Sequence, residues 1–392
     1  MNYFFYTLFS FVGLMFLATP GFGQIGHTTI TFNDPDRSGG FGSGGGPGRQ
    51  IQTEIYYPAD VAGDNVEVSE GTYPVVVFGH GFVMAWDAYQ NVWEDLVSAG
   101  YVVCFPRTEG NFSPSHEDFG LDLALVAEDM FALNDADGNL FFGHLMNKSA
   151  IMGHSMGGGA TFLAAASTQV DAVVGLASAE TDPSAIAAAE SVSAPLLMLS
   201  GGGDAVTPPE DHQIPIYNAC AAMCKYHVTI TGGAHCYFAN SNFNCDTGEL
   251  FAGSDIDVDR EEQQQTASDY FIPWLDHWLK EDEPALQTFI DLTLSDDRTT
   301  YTESCIVLSN DEKDSESLLL MPNPVREEVF FQGSASDQVE GIEIFDLRGQ
   351  LVFQQKINRH RSILLNQLTP GMYTMRIQLN NGQVQTHKMV KE

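Results

Sequence analysis

The feature that most constrains this chain is a five-residue turn, Gly153-His154-Ser155-Met156-Gly157, which separates a short apolar run from an alanine-rich stretch of helical character. A strand, a sharp turn and a helix in this order hold the central residue in a strained conformation at the top of a sheet. Positions 153 and 157 must be small, because strand and helix approach closely there. A serine in this place is typical of a nucleophile, so the turn predicts a reactive Ser155.

Apolar segments with strand character alternate with segments of helical spacing over most of the chain. We predict strands at residues 50–57, 73–78, 101–105, 150–153, 172–176, 196–200 and 225–230, and helices at residues 89–98, 121–133, 157–166 and 261–280. Such alternation is typical of a parallel sheet covered by helices on both faces. We therefore predict an α/β fold with a doubly wound, mostly parallel sheet, whose functional groups lie at the carboxyl ends of the strands.

A neutral serine needs a base within hydrogen-bond reach, and the base needs an acid that orients it. The predicted strand at residues 196–200 runs into a glycine-rich loop that carries Asp204, and the strand at residues 225–230 runs into a similar loop that carries His235. The order Ser155, Asp204, His235 is the order expected for an α/β-hydrolase. We therefore predict these three residues as a catalytic triad.

Other acids and histidines compete for the same roles. Glu210 and Asp211 also follow the strand that precedes Asp204, but two prolines come before them and they are better suited to cap the next helix. Among eleven histidines, His235 combines a glycine-flanked loop, a position just after a strand and the expected order. His154 lies inside the turn, and we expect it to make packing or backbone contacts.

Acyl transfer also needs hydrogen-bond donors for the negative charge that develops on the carbonyl oxygen. The turn supplies one such donor, the backbone N–H of Met156. We place the second at the N–H of Phe82, in the glycine-containing loop that follows the strand at residues 73–78, with Val83 as the alternative. The side chains of Phe82 and Met156 are then expected to line the pocket for the acyl group.

Charge is distributed unevenly along the 392 residues. Residues 1–317 hold 9 Lys and Arg against 45 Asp and Glu, whereas residues 318–392 hold 8 against 7. This change of composition predicts two modules. The acidic first part repels nucleic acid and anionic membranes, so we expect neither nucleic acid as a partner nor stable insertion into a membrane. We expect the protein to act as a monomer.

The two ends of the chain differ in composition from its middle. Apolar residues near the start, followed by small residues, predict a signal peptide over residues 1–23, with a membrane anchor as the less favoured alternative because the run is short and broken by Pro20. We predict a catalytic domain over residues 24–305 and a charged linker over residues 306–317. Short alternating segments joined by turns predict a small β-sandwich over residues 318–392.

Export favours an oxidising compartment, so the six cysteines are candidates for disulfide bonds. Their spacing suggests two local pairs, Cys220 with Cys224 and Cys236 with Cys245. Cys305 has no obvious partner. A zinc site is the less favoured interpretation, because the spacing does not repeat in the way that zinc ligands require.

Residues from about 50 to 281 resemble the dienelactone-hydrolase and cutinase-like group of α/β-hydrolases, which includes bacterial polyester hydrolases and chlorophyllase-like esterases. The segments that carry the resemblance are Tyr56-Tyr57-Pro58, Gly79-His80-Gly81-Phe82, the turn around Ser155 with Gly158 and Gly159, Asp204 with Pro208, Ile214-Pro215-Ile216-Tyr217, and Gly232-Gly233-Ala234-His235. The resemblance implies the same triad, Ser155, Asp204 and His235, and the same donors at Phe82 and Met156.

The chain departs from this group in two places. Polyester hydrolases of the group place a tryptophan in the substrate cleft after the fifth strand, where this chain has Ser178-Ala179-Glu180-Thr181. We therefore count Glu180 among the expected substrate-binding residues. The segment at residues 236–260 is longer than in the compact cutinase-like enzymes and is a candidate cover for the cleft.

The last 75 residues or so resemble the C-terminal sorting domain of the Bacteroidetes type IX secretion system. The matching segments are Met321-Pro322-Asn323-Pro324, Leu347-Arg348-Gly349, Leu368-Thr369-Pro370-Gly371-Met372-Tyr373 and Lys388-Met389-Val390-Lys391. The resemblance implies export across the outer membrane, the secretion machinery as a partner, a secreted or cell-surface location and removal of the tail. A carbohydrate-binding sandwich is the alternative.

Together these features predict a secreted serine carboxylic ester hydrolase. Ser155 attacks the ester carbonyl, His235 transfers the proton, Asp204 orients His235, and water resolves the acyl-enzyme, so we expect no cofactor and no metal. Polyesters are candidate substrates. The alternatives are a lipase, a chlorophyllase-like esterase, an acyltransferase and, from another class, a surface adhesin that has kept a hydrolase fold without its activity.

Overall fold

The structure is a computed structural model, which describes residues 23–305, 319–321, 325–326, 328–332, 336–346, 350–357, 362–380 and 384–391. The described residues form two compact units, one within residues 1–307 and the other within residues 308–392. The predicted linker and all but the last residue of the predicted signal peptide lie outside the described residues.

The first unit is built on an eleven-stranded sheet. Its strands are β1 (Gln24–Asp34), β2 (Gly40–Phe41), β3 (Arg49–Ala59), β4 (Gly63–Asp64), β5 (Tyr73–Gly79), β6 (Val102–Pro106), β7 (Leu145–His154), β8 (Ala172–Leu176), β9 (Leu196–Gly201), β10 (Cys224–Ile230) and β11 (Thr299–Cys305). They lie in the order β11-β10-β9-β8-β7-β5-β6-β3-β1-β4, with β2 paired to β3. The strands from β10 to β6 are parallel, whereas β11, β3 and β1 pair in the antiparallel sense with their inner neighbours.

Helices cover both faces of this sheet. In the described part of the first unit the α-helices are α1 (Gln90–Ser98), α2 (His116–Asn134), α3 (Met156–Ala165), α4 (Ala185–Ala189), α5 (Gln213–Ala219), α6 (Phe243–Ala252), α7 (Arg260–Lys280) and α8 (Glu283–Ser295). The predicted α/β fold with a doubly wound, mostly parallel sheet is confirmed. None of the described helices combines the length and the apolar character needed to cross a membrane.

Strand β5 shows why the predicted strands could be recognised. Val75 and Val77 point into an apolar cluster shared with α2 and α3, while Val76 and Phe78 point into a second cluster shared with α1 and α7. A strand buried on both faces needs apolar residues at consecutive positions rather than at alternate ones. The run of apolar residues in β5 is therefore the direct result of its place between two layers of helices.

Several elements were not predicted, and β1, α8 and β11 are among them. Strand β1 pairs with β3 along its whole length, from Gln24 opposite Ala59 to Asp34 opposite Arg49. Only three of its eleven residues are buried, and none of the seven residues of β11 is buried. Both strands lie at or near an edge of the sheet, where little apolar burial is required and the apolar pattern of a strand is weak.

One of the two predicted disulfide bonds is wrong. Cys224 is bonded to Cys305 and not to Cys220, which is a buried free thiol. Cys224 and Cys305 lie directly opposite each other where β10 pairs with β11, a contact between residues 81 positions apart. Spacing along the chain carries no information about such a pairing. The second predicted bond, Cys236–Cys245, is confirmed.

The second unit consists of two antiparallel sheets in its described part. One contains β12 (Leu319–Met321), β13 (Glu328–Gln332) and β16 (Ser362–Leu364), and the other β14 (Val339–Phe345), β15 (Leu351–Lys356), β17 (Gly371–Leu379) and β18 (Val384–Lys391). Val329 and Ile363 of the first sheet share one apolar cluster with Ile344 and Ile377 of the second. The two sheets therefore pack on each other, as a small β-sandwich requires.

Candidate active site

Ser155 lies between β7 and α3 in a strained backbone conformation, with φ of 55° and ψ of −119°. The glycines around it are a steric requirement. A Cβ atom at Gly157 would overlap the carbonyl oxygen of Gly79 and lie 2.6 Å from that of His80, and a Cβ atom at Gly153 would overlap the carbonyl oxygen of Gly157. Close contact between backbones therefore holds Ser155 at the carboxyl end of β7.

Ser155, Asp204 and His235 lie in direct contact. The Ser155 Oγ atom is 2.9 Å from His235 Nε2, and His235 Nδ1 is 2.8 Å from Asp204 Oδ2. All three side chains are buried. Asp204 follows β9 and His235 follows β10, and because these parallel strands are neighbours, their carboxyl ends bring the two loops together.

The Asp204 carboxylate is held by several donors. It accepts the N–H groups of Val206 and Thr207 at 2.8 Å each and the Thr207 hydroxyl at 2.9 Å. Burial alone raises the pKa of Asp204, but the hydrogen bonds from His235 and Thr207 outweigh it, and the pKa lies below its ordinary value. Because a carboxylate only accepts, His235 Nδ1 carries the proton of this pair and Nε2 is left to accept the Ser155 hydroxyl proton.

A buried chain of hydrogen bonds connects the loops around the site. His154 Nε2 donates to the backbone carbonyl of His235 at 2.9 Å, and Tyr89 donates its hydroxyl proton to His154 Nδ1 at 3.0 Å. The Tyr89 hydroxyl in turn accepts the N–H of Gly81 at 2.8 Å. Burial, together with the nearby His235, lowers the pKa of His154 to about 3, so this histidine is neutral at ordinary pH. His154 makes backbone contacts, as its position in the turn suggested.

The predicted oxyanion donors lie on adjoining segments. The loop that leads to Phe82 packs on the first turn of α3 through Gly157, and that turn begins with Met156. The Phe82 side chain is 48% exposed and contacts the ring of Phe112 edge to face, with ring centres 6.4 Å apart. The Met156 side chain is buried in the apolar cluster that α3 shares with α2.

Glu180 lies in the loop after β8, and its polar groups are engaged by neighbouring elements. Its backbone N–H donates to His212 Nδ1 at 2.9 Å. Its carboxylate accepts the N–H of Ile186, in the first turn of α4, at 3.0 Å. The carboxylate is therefore tied to the start of the next helix. Within the described residues, no group of three histidine, cysteine, aspartate or glutamate side chains is arranged to hold a metal ion.

Sequence reasoning missed the residues that hold the His235 loop. Both oxygens of the Glu249 carboxylate accept backbone N–H groups, from His235 at 2.6 Å and from Cys236 at 3.0 Å. The Gln263 amide accepts the N–H of Ala234 at 2.7 Å and donates to its carbonyl at 2.8 Å. Glu249 belongs to α6, inside the long segment at residues 236–260. A single glutamate in such a segment forms no pattern that a sequence reveals.

The same segment reaches the loop of Phe82. Asn244, in the first turn of α6, donates its side-chain amide to the backbone carbonyl of Val83 at 3.1 Å. The segment thus touches two of the loops that border Ser155.

Comparisons with known proteins agree with this fold. Residues 25–305 match the family described as PET hydrolase-like, and residues 320–392 match the secretion system C-terminal sorting domain. The chain is similar to a bis(hydroxyethyl) terephthalate hydrolase of Streptomyces coelicolor, with 29% identity over 42% of this chain and 48% of that protein. It therefore spans about half the length of that relative.

Two further relatives are cutinases. Cutinase 2 of Thermobifida cellulosilytica is 26% identical over 54% of this chain and 72% of its own length, and cutinase cut1 of Thermobifida fusca is 26% identical over 54% of this chain and 59% of its own length. The family match covers most of the chain, and the tail match indicates export to the cell surface or the medium. The chain belongs to the PET hydrolase-like family of hydrolases and carries a type IX secretion sorting domain at its end.

Proposed function

We propose that this protein is a secreted serine carboxylic ester hydrolase that works through an acyl-enzyme. The observation that carries the proposal is the continuous line of hydrogen bonds from Ser155 Oγ to His235 Nε2 at 2.9 Å and from His235 Nδ1 to Asp204 at 2.8 Å. These distances are those of a nucleophile, its general base and the acid that orients the base. All three side chains come from one chain, and we propose that it acts as a monomer.

The reaction follows from this arrangement. His235 Nε2 takes the hydroxyl proton as Ser155 Oγ attacks the ester carbonyl carbon, and Asp204 stabilises the imidazolium that forms. The negative oxygen of the tetrahedral intermediate accepts the backbone N–H groups of Met156 and Phe82. The intermediate collapses as His235 gives its proton to the leaving alcohol, and water then attacks the acyl-enzyme in the same way.

For the substrate we propose polyester chains presented at a solid or aggregated surface. Phe82 and Phe112, which are 48% and 81% exposed, contact each other, and Phe82 follows the backbone segment that packs against Gly157. Helix α6 adds three more exposed apolar side chains, Phe243, Leu250 and Phe251. Apolar side chains that gather in solvent mark a contact surface, and the net charge of −35 disfavours an anionic partner. The similarity to a cutinase and to a bis(hydroxyethyl) terephthalate hydrolase supports the same class.

The nucleophile is tested by Ser155→Ala, with Ser193→Ala as a matched control at an exposed serine. Hydrolysis of a short nitrophenyl ester is expected to fall by about a millionfold in the first variant and to stay at the wild-type rate in the second. A Ser155→Ala protein that keeps the wild-type rate overturns the serine mechanism. Wild-type protein that hydrolyses no ester overturns the proposal that the protein is an ester hydrolase.

The substrate class is tested by a panel of acetyl esters, long-chain esters and a polyester film. We expect release of soluble acid and alcohol from the film by the wild type. A second variant, Phe82→Ala with Phe112→Ala, is expected to lower release from the film more than hydrolysis of the acetyl ester. Equal loss on both substrates, or no activity on the film, contradicts the polyester proposal while leaving the esterase proposal in place.

A further inference from the structure

Helix α6 buries its residues in an unusual way. The only buried residue of this ten-residue helix is Glu249, which is 3% exposed. The apolar neighbours Leu250 and Phe251 are 78% and 85% exposed. A surface helix of a globular protein normally turns its apolar side chains inward and its charged side chains outward. Packing of an apolar core therefore does not explain why α6 lies where it does.

The buried carboxylate has a defined task in this structure. A charged group away from water is costly unless hydrogen bonds satisfy it. Glu249 Oε1 accepts the N–H of His235 at 2.6 Å, and Oε2 accepts the N–H of Cys236 at 3.0 Å. These two N–H groups stand at the start of a short 3-10 helix, Cys236–Phe238, which begins directly after His235. A carboxylate at such a start forms strong hydrogen bonds and fixes the backbone.

A covalent bond on the same side of α6 supports this contact. The Cys236–Cys245 disulfide joins the residue after His235 to a position one helical turn before Glu249. Residues four apart on a helix lie on one face, so the disulfide and the carboxylate both hold α6 against the His235 loop. Arg260 strengthens the same junction, because it donates to the Cys236 carbonyl at 2.6 Å and to Asp246 of α6 at 2.7 Å.

We propose that Glu249 is a positioning residue for His235. Its carboxylate fixes the backbone of residues 235 and 236, and thereby keeps the imidazole Nε2 at 2.9 Å from Ser155 Oγ. The inference rests on the proposed function, because it assigns to Glu249 the placement of the general base. Glu249 itself is buried beneath the loop and is expected to touch no substrate. Its loss is therefore expected to lower kcat and to leave KM nearly unchanged.

The test uses the full chain with Glu249→Ala and Glu249→Gln. The control is Glu261→Gln, which removes an exposed carboxylate next to the same segment. A misplacement of reacting groups by about 1 Å lowers rates by about 100-fold, and we expect that loss of kcat for Glu249→Ala. Glutamine keeps one acceptor oxygen, and we expect a loss of only about tenfold. KM is expected to stay within a factor of about two.

Two measurements separate positioning from mere stability. The first is kcat of folded protein at a temperature well below the unfolding midpoint of each variant. The second is the low-field proton resonance of the His235 Nδ1–H bound to Asp204, which is expected to shift or vanish in Glu249→Ala and to persist in Glu261→Gln. Should the alanine variant not fold, the glutamine variant carries the test with the same two measurements.

The outcomes separate this inference from the proposed function. Wild-type protein that hydrolyses no ester overturns the proposed function. Active wild-type protein with a folded Glu249 variant of equal kcat and an unchanged His235 resonance overturns the positioning role, even where the unfolding midpoint has fallen. A lower kcat in Glu249→Ala, partly restored in Glu249→Gln, supports it.

Discussion

Ser155 and His235 lie at the same rim of the sheet, yet the protein holds them in two different ways. Around Ser155 the support is backbone against backbone, since Gly157 leaves no room for a side chain beside Gly79. Around His235, side chains add to the backbone contacts, with the Glu249 carboxylate and the Cys236–Cys245 bond holding the loop from α6. The first arrangement depends on glycines where two backbone segments meet, and the second depends in addition on side chains from α6.

This contrast predicts which parts of the site tolerate change. Backbone contacts leave no freedom, because a single added methyl group at residue 157 meets atoms that cannot turn away. Side-chain contacts to a loop can be weakened in steps, because each hydrogen bond or covalent tie contributes separately. Changes around His235 are thus expected to lower activity in steps, whereas changes around Ser155 are expected to destabilise the fold.

The largest expected effect separates stability from activity by comparing the two disulfide bonds. Chain entropy predicts a loss of about 4.5 kcal/mol for Cys224→Ser with Cys305→Ser, which opens a loop of 81 residues, and of about 2.6 kcal/mol for Cys236→Ser with Cys245→Ser, which opens one of 9. Because only the second bond supports the His235 loop, kcat is expected to fall in the second variant alone. Urea unfolding measures the loss of stability in each variant, and ester hydrolysis measures the loss of kcat. A greater loss of kcat in the Cys224→Ser, Cys305→Ser variant contradicts the proposed support of the His235 loop by the Cys236–Cys245 bond.

The next effect concerns the backbone contact at Ser155. Gly157→Ala is expected to lower the free energy of unfolding by about 2–3 kcal/mol, because its Cβ atom collides with backbone. The matched change in α6, Gly248→Ala, meets no atom within 4 Å and is expected to raise the free energy of unfolding by about 1 kcal/mol. Urea unfolding of both variants measures the difference. Equal stability of Gly157→Ala and wild type contradicts the steric argument.

Acid provides a third test, through His154, which precedes Ser155 in the chain. The pKa of His154 is about 3 in the folded protein, against an ordinary value of 6.5. The unfolded chain therefore binds a proton below pH 6.5 that the folded protein does not bind until about pH 3, so folding stability falls as pH falls through this range. Between pH 7 and pH 5 the contribution of His154 is about 2 kcal/mol.

Urea unfolding at pH 7 and pH 5 checks this contribution by comparing wild type with His154→Gln. The variant is expected to lose less stability on acidification. His227 is also buried, and burial lowers its pKa to about 4, so it adds a similar dependence to both proteins that cancels in the comparison. An identical pH dependence in the two proteins refutes the burial of a neutral His154.

The smallest expected effect tests the buried hydrogen bonds that connect Gly81, Tyr89, His154 and the His235 loop. Tyr89→Phe leaves the N–H of Gly81 without its acceptor and is expected to cost about 1 kcal/mol of stability. It is also expected to lower kcat severalfold, because Gly81 precedes the proposed donor at Phe82. The control is Tyr101→Phe. The Tyr101 hydroxyl donates to Asp276 at 2.7 Å, and neither residue belongs to the site. The two variants are expected to have similar stability, but Tyr89→Phe is expected to have the lower kcat. Equal kcat values in the two variants contradict a role of Tyr89 in the site.

The parallel strands and their helices could be predicted because burial on both faces demands consecutive apolar residues, as in β5. The motif around Ser155 and the loops of Asp204 and His235 were readable for a related reason, since glycines stand where backbones must meet. Strands β1 and β11 escaped prediction because few of their residues are fully buried. The Cys224–Cys305 bond depends on two distant strands becoming neighbours, and the Glu249 contact depends on how α6 folds back on the His235 loop; a linear pattern contains neither kind of information.

The bond between Cys224 and Cys305 has a consequence for the life of the exported protein. Strand β11 lies at the margin of the sheet, and Cys305 is its last residue. A peptidase that cuts the chain beyond this point creates a new carboxyl terminus, where fraying normally starts. Here the disulfide bond holds Cys305 to β10, so removal of the tail leaves β11 paired at the edge of the sheet.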